Sequence, residues 1–449
     1  MKRKTKSNTI PNRRSRLLSR SNGMLACLVV AVAAMNATPV NAKPLKIYIL
    51  SGQSNMQGQA RVSSFAGMAE DPKAKHLYDE IVDSSGKPRV FDNIYIAAFS
   101  RNDGWYTLGD NVERHGKLSV GYTGNPTDNG NFGPEIGFGV TVYDHYKEPI
   151  LLIKTSWGGK SLMVDFRPPS AGPYYKHPEE VKEYKTGHGV IVTREQQLKA
   201  PGHFYRLMMQ HIRTVLADPG KYCPAYNPKD GYQIAGFAWF QGFNDLVSHD
   251  YPPIDANSHE RSPLRNYSEY SRLLTCFIHD VRKDLSAPKM PFAIGVLGVG
   301  GKNASGNTEL FRKAMAAPAS MNEFKGNVTT IDAADYWDVK LGELEERKDM
   351  RDPRKALQFA KEGRYLELGK KLAPLTAEIQ NLEKQPKSEA TRGKLRELDQ
   401  KVQNILYTPE EQDYIAKNRC NQAYHYMGSA KTYCEIGEAL AKGLIKISK

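Results

Sequence analysis

Ser51-Gly52-Gln53-Ser54-Asn55-Met56 follows the apolar run Ile47-Tyr48-Ile49-Leu50, and Gln241-Gly242-Phe243-Asn244-Asp245 follows Phe237-Ala238-Trp239-Phe240. Each segment puts small and polar residues where a buried strand would end, which is where an open α/β sheet builds its ligand sites. A serine becomes a nucleophile when a base takes its proton and donors hold the oxyanion that forms. Ser54 follows Gly52 at a tight turn that would expose its hydroxyl, and Gly58 would let a helix start close to the sheet. Asn244 carries an amide that could donate to a developing oxyanion. Gly158 and Gly159, in Ser156-Trp157-Gly158-Gly159-Lys160-Ser161 after the run Leu151-Leu152-Ile153-Lys154, could present unhindered backbone N–H groups, Gly158 first and Gly159 second.

The base would be His425, in Asn421-Gln422-Ala423-Tyr424-His425-Tyr426-Met427-Gly428-Ser429, just before an amphipathic terminal segment. Singly, each residue also has an ordinary structural use. Ser54 and Asn244 suit helix caps or turns, paired glycines suit a turn, and a histidine suits a packed interior.

Together, in this order, the blocks resemble the SGNH hydrolases, and more closely the sialate O-acetylesterase and carbohydrate esterase family six group. Ile49 to Met56, Trp157 to Leu162, Trp239 to Asp245 and Tyr424 to Lys431 are similar to that group's four blocks. The resemblance implies a three-layer α/β/α, flavodoxin-like parallel sheet, no metal or other cofactor, and removal of acetyl groups from acetylated sugars. It implies Ser54 as nucleophile, His425 as base, and an oxyanion hole from the Ser54 N–H, Gly158 or Gly159, and Asn244. Glu135, in Phe132-Gly133-Pro134-Glu135, recurs in relatives.

The chain departs from the group at the acid. Relatives place an aspartate three residues before the histidine, where this chain has Gln422, and some place a glutamate where it has Phe243. None of the eleven histidines has Asp or Glu three residues before it. The ring could be oriented by the Gln422 carbonyl oxygen, by a main-chain carbonyl, or by a remote acid such as Asp245, Asp332, Asp335 or Asp338. A catalytically weak or inactive carbohydrate-binding protein on the same fold is the alternative.

Five apolar runs would position these residues: Leu45–Leu50, Ile150–Ile153, Ile234–Phe240, Phe292–Leu297 and Val328–Ile331. Most lack period-two alternation, as strands covered on both faces do. Helical patterns alternate with them at Pro134–Tyr146, Phe204–Leu216, Ser268–Leu285 and Ser429–Ile445, which predicts a parallel doubly wound sheet. Residues 157–202 read as loops. Residues 341–416 are rich in Leu, Lys, Glu and Gln, and read as an inserted antiparallel helical hairpin. Gly158 to Tyr175 and Asn102 to Tyr122 carry aromatics that could line a sugar groove.

Residues 1–42 read as an export signal. Lys2, Arg3, Lys4, Lys6, Arg13, Arg14, Arg16 and Arg20 precede an apolar run from Met24 to about Met35, and Val40-Asn41-Ala42 suits a signal peptidase. The apolar run is shorter than the roughly 20 residues of a membrane span. Cleavage after Ala42 predicts a secreted or periplasmic protein without stable membrane insertion; 43–449 would be the esterase domain.

Cleavage also lowers the formal charge from +14 to +6, leaving 55 basic against 49 acidic residues. That balance, with no compact basic motif interleaved with aromatics, excludes a nucleic-acid partner. The expected partner is an acetylated oligo- or polysaccharide. Cys223, Cys276, Cys420 and Cys434 form no CxxC pair, against a zinc ribbon or thioredoxin-like motif. Export would permit disulfides, Cys420 with Cys434 among them, and buried thiols are the other reading.

Overall fold

The computed structural model describes residues 43–101, 111–124, 130–186, 189–258, 260 and 262–448. The expected leader, 1–42, and residues 102–110 of the aromatic stretch lie outside them.

Apolar runs buried on both faces become the central strands of one seven-stranded sheet, whose two edge strands are only partly buried. They are β1 (Leu45–Gly52), β2 (Ile94–Arg101), β3 (Asn111–Lys117), β4 (Ile150–Ser156), β5 (Tyr232–Phe240), β6 (Phe292–Val296) and β7 (Val328–Asp332). Their spatial order is β7-β6-β5-β1-β4-β2-β3. All neighbours run parallel except β3, which is antiparallel to β2. The five strands expected from apolar runs are thus joined by two more. β3 has the sequence NVERHGK and is only partly buried; a polar edge strand carries no run of apolar residues to announce it. From β1 the chain fills one side first, with β4 returning between β1 and β2, and then builds outward on the other through β5, β6 and β7. The carboxyl ends of β1 and β5 therefore meet at the switch point, where doubly wound sheets open a crevice.

Helices cover both faces. The short α1 (Ser54–Gln57) leaves β1 directly. The later helices are α2 (Glu135–Tyr146), α3 (His203–Ala217), α4 (Ser268–Asp284), α5 (Leu366–Glu383), α6 (Glu389–Leu406) and α7 (Ala430–Ile447). On one face, α3 and α4 bury Phe204, Met208, Leu273 and Phe277 against Trp157, Phe237 and Trp239. On the other, α2 and α7 bury Phe138, Tyr433 and Leu440 against Tyr48 and Leu50. The result is a three-layer α/β/α arrangement.

α2 and α7 approach at two glycines. A Cβ on Gly437 would lie 2.0 Å from the Pro134 carbonyl oxygen, and one on Gly137 would lie 2.1 Å from that of Cys434. Only glycine lets these helices touch backbone to backbone.

Residues 341–416 hold more than a hairpin. α5 and α6 pack on each other across a short turn, with Lys394 paired to Glu378 at 2.9 Å. Helices Val339–Asp349, Pro353–Lys361 and Pro409–Asn418 flank them. Leu344, Met350, Phe359, Leu372, Val402, Leu406 and Tyr407 form a core of their own. Cys223, Cys276, Cys420 and Cys434 are all free thiols, so Cys420 and Cys434 are not bridged.

The glycine contact gives a stability test. Gly437→Ala should cost on the order of 1–3 kcal/mol or more, because an overpacked contact must push the two helices apart. Gly393→Ala, on a face of α6 where a Cβ meets nothing within 4 Å, should stabilise by about 0.5–1 kcal/mol. Urea unfolding of both variants reads the difference.

Candidate active site

Ser54 is the first residue of α1 at the carboxyl end of β1 and is 8% exposed. The turn that delivers it needs Gly52: a Cβ there would lie 2.1 Å from the Phe240 carbonyl oxygen at the end of β5. The Ser54 N–H, at the amino end of α1, has no acceptor among the described residues, as the first N–H groups of a helix have none within it.

Gln53 fastens this turn to the third block. Its Oε1 accepts from the backbone N–H of Gly242 at 2.9 Å, from Gln241 Nε2 at 3.2 Å and from the Asn244 N–H at 3.3 Å. A backbone N–H can only donate, so the oxygen end of the Gln53 amide faces β5 and its Nε2 faces outward. That Nε2 donates to Asn244 Oδ1 at 2.9 Å. The Asn244 amide is thereby oriented as well, with Nδ2 left as its donor end and no partner for it among the described residues.

The second block lies against Ser54. A Cβ on Gly158 would stand 3.6 Å from Ser54 Cβ and 3.1 Å from Gln57 Oε1. Gly159, one residue on, has φ +72° and turns the chain away. Asp245 holds this block to the third: its carboxylate accepts from the Leu162 and Met163 N–H groups at 2.8 and 3.0 Å, from Tyr251 at 2.7 Å and from Gln241 Nε2 at 2.5 Å. Complete burial pushes the Asp245 carboxyl up to about 6, with the four donors pulling the other way.

His425 arrives on a loop whose next two residues, Tyr426 and Met427, both have positive φ, 49° and 54°. Such strain survives only where surroundings hold it. Buried Tyr426 accepts from the Gly298 N–H at 2.8 Å and packs against the rings of Phe240 and Trp337. Asn55, the neighbour of Ser54, donates from Nδ2 to the Tyr424 carbonyl at 3.2 Å and accepts from Tyr433 at 2.9 Å. The first block thus holds the histidine loop through the residue before His425. Burial lowers the His425 imidazole to about 4, so the ring is neutral at ordinary pH.

The group that meets the ring is Asn421. Its Oδ1 lies 3.0 Å from His425 Nδ1. This corrects the expectations for Gln422 and Asp245. The Gln422 side chain is exposed, and its main-chain carbonyl accepts from the N–H groups of His425 and Met427, both at 3.0 Å. Asp245 is committed to Leu162, Met163, Tyr251 and Gln241. Asp332 caps the Ala334 N–H, Asp335 pairs with Lys302, and Asp338 pairs with Lys431 at 2.7 Å. Phe243, where some relatives carry an acid, stacks instead on Tyr424 at 5.4 Å.

Sequence reasoning passed over Gln53, Asn55 and Asn421, although all three stand inside or beside the quoted blocks. It also left Glu135 without a role. Glu135 and Lys154 form an ion pair at 2.7 Å, 0% and 1% exposed, beneath the site. Lys154 Nζ donates to the Gln57 carbonyl at 2.9 Å and to the Tyr122 carbonyl at 3.0 Å, and Glu135 accepts from the Gly133 N–H at 2.9 Å. The pair supports the end of α1.

With this geometry in hand, comparison gives the class. A profile of the family described as "carbohydrate esterase, sialic acid-specific acetylesterase" matches residues 44–373. The chain belongs to this family of carbohydrate esterases. His425 and Asn421 lie beyond the matched segment. Among solved structures, a protein from Arabidopsis thaliana is similar at 19% identity and TM-score 0.34, over 65% of this chain and 86% of that one. A carbohydrate acetylesterase from Xanthomonas citri is similar at 13% identity and TM-score 0.34, over 63% of this chain and 49% of that one. No curated protein matches.

The buried pair is testable. Lys154→Met leaves Glu135 uncompensated and two carbonyls without their donor, and should cost about 3–5 kcal/mol. Replacing both partners with apolar residues should recover the part of that loss that comes from the unpaired charge, as read by thermal or urea unfolding.

Proposed function

We propose that the protein is a secreted or periplasmic serine esterase that removes O-acetyl groups from carbohydrate. The observation that supports the reading is that Gly158 lies against Ser54 and Asn244 is held by Gln53, the neighbour of Ser54, at the β1/β5 switch point, with the His425 loop fastened to Asn55. Export rests on the basic and apolar pattern of residues 1–42. Among the described residues no helix is long and apolar enough to cross a membrane.

In this reading Ser54 Oγ attacks the acetyl carbonyl while His425 Nε2 takes its proton. The Ser54 N–H, the Gly158 N–H and Asn244 Nδ2 stabilise the oxyanion; Gly159 serves the turn. The bond from the acyl carbon to the sugar oxygen breaks, and His425 returns the proton to that oxygen. Water, deprotonated by His425, then attacks the acetyl-enzyme and releases acetate. A neutral imidazole is the form this sequence needs, and burial of His425 supplies it.

Acetate release from p-nitrophenyl acetate, and from acetylated xylan, sialic acids and algal polysaccharides, tests the reading beside Ser54→Ala. Loss of turnover in the variant is expected. Equal, background-level release from both proteins would leave only the carbohydrate-binding alternative. Asn244→Ala should lower kcat by about 10²- to 10³-fold with KM little changed, the usual loss for one oxyanion donor.

A further inference from the structure

We propose that Asn421 is the positioning residue of this site, a neutral acceptor that fixes the tautomer of His425 where an esterase of this kind would use a carboxylate. The inference rests on the esterase reading for its kinetic consequences, but its structural content stands apart from it.

The argument is one of donors and acceptors. Asn421 Oδ1 accepts from the backbone N–H of Gln422 at 2.8 Å. That atom must therefore be the amide oxygen, since a nitrogen there would set donor against donor. Asn421 Nδ2 is then the end that donates to Gln59 Oε1 at 3.0 Å. The same Oδ1 lies 3.0 Å from His425 Nδ1, so Nδ1 must carry the proton. Nε2 is then the bare nitrogen, free to act as a base. Asn421 itself cannot swing. Its N–H and that of Cys420 both bond the Met427 carbonyl, and Gly428 packs where a Cβ would lie 2.8 Å from Asn421 Cβ.

The arrangement differs from an acid in one respect. A carboxylate orients the ring and also favours its charged form; an amide only orients it. Asn421 and Tyr424 meet the ring from its own loop, and Tyr424 is in turn held by Asn55 from α1 and by Phe243 from the third block. No charged side chain among the described residues offsets the burial of the ring. The base thus stays neutral, and usable, far into acid.

The test combines kinetics with a readout that needs no activity. In protein labelled with ¹⁵N-histidine, on either the wild-type or the Ser54→Ala background, His425 should show the Nδ1–H tautomer and stay neutral down to about pH 5. The acid limb of kcat/KM should fall only below that pH. Asn421→Asp keeps the shape and the acceptor but adds charge, so the His425 titration and the acid limb should both move up by about 1–3 pH units. Asn421→Ala should lower kcat by at least about tenfold with KM nearly unchanged, within the 10⁴-fold that a wrong tautomer costs a serine protease. A wild-type Nε2–H tautomer, an acid limb that Asn421→Asp leaves in place, or an unchanged kcat in Asn421→Ala overturns the proposal. Should Ser54→Ala retain full turnover, the esterase reading fails instead, while the tautomer measurement still decides the role of Asn421.

Discussion

The hydrogen bond from the Gly242 N–H to Gln53 Oε1 is the contact on which the site depends. A side-chain amide looks nearly the same from either end, and its direction is set only by what it meets. A backbone N–H removes that ambiguity, because it can only donate. Gln53 is fixed by it, and Asn244 is then fixed by Gln53. The same logic recurs at the other end of the site, where the Gln422 N–H fixes Asn421 and Asn421 fixes His425. In both places a main-chain donor sets a side-chain amide, and the amide sets the next side chain. No mobile charge is needed in either relay.

The charges lie one layer deeper. Lys154 and Glu135 are buried together under α1, and Asp245 is buried between the second and third blocks. Each also bonds backbone groups: carbonyls for Lys154, N–H groups for Asp245 and Glu135. A buried charge is tolerable only with partners that match it, and these partners are the turns that carry Ser54 and Gly158. The fully desolvated charges therefore act as struts for loops that would otherwise be free to move. The His425 imidazole, in turn, is lowered to about 4 by burial.

Much of the fold was legible in the chain. Apolar runs gave five of the sheet's strands, and helical periodicity gave α2, α3, α4 and α7 to within a residue or two. Those signals are local: burial on both faces writes itself into the sequence of a central strand. β3 was not legible, because an edge strand half exposed to water needs no apolar run. The inserted segment read as a hairpin because α5 and α6 carry its leucine periodicity. Its separate core, which draws in Leu344 and Tyr407 from outside that pair, follows from contacts that periodicity does not report.

The sequence by itself determined which residue types reach the sheet's carboxyl edge: a serine, a glycine pair, an asparagine and a histidine, each tied to its own strand end or helix start. Tertiary structure alone decided how they are oriented. Asn421 rather than Gln422 or Asp245 meets the imidazole, since a loop with two positive-φ residues curls the chain back on itself. Asp245 became a strut because its turn buries it against the second block, some 80 residues away in the chain. Hydrogen bonds of this kind depend on angles and on the choice between nearly equivalent atoms, and a one-dimensional pattern specifies neither.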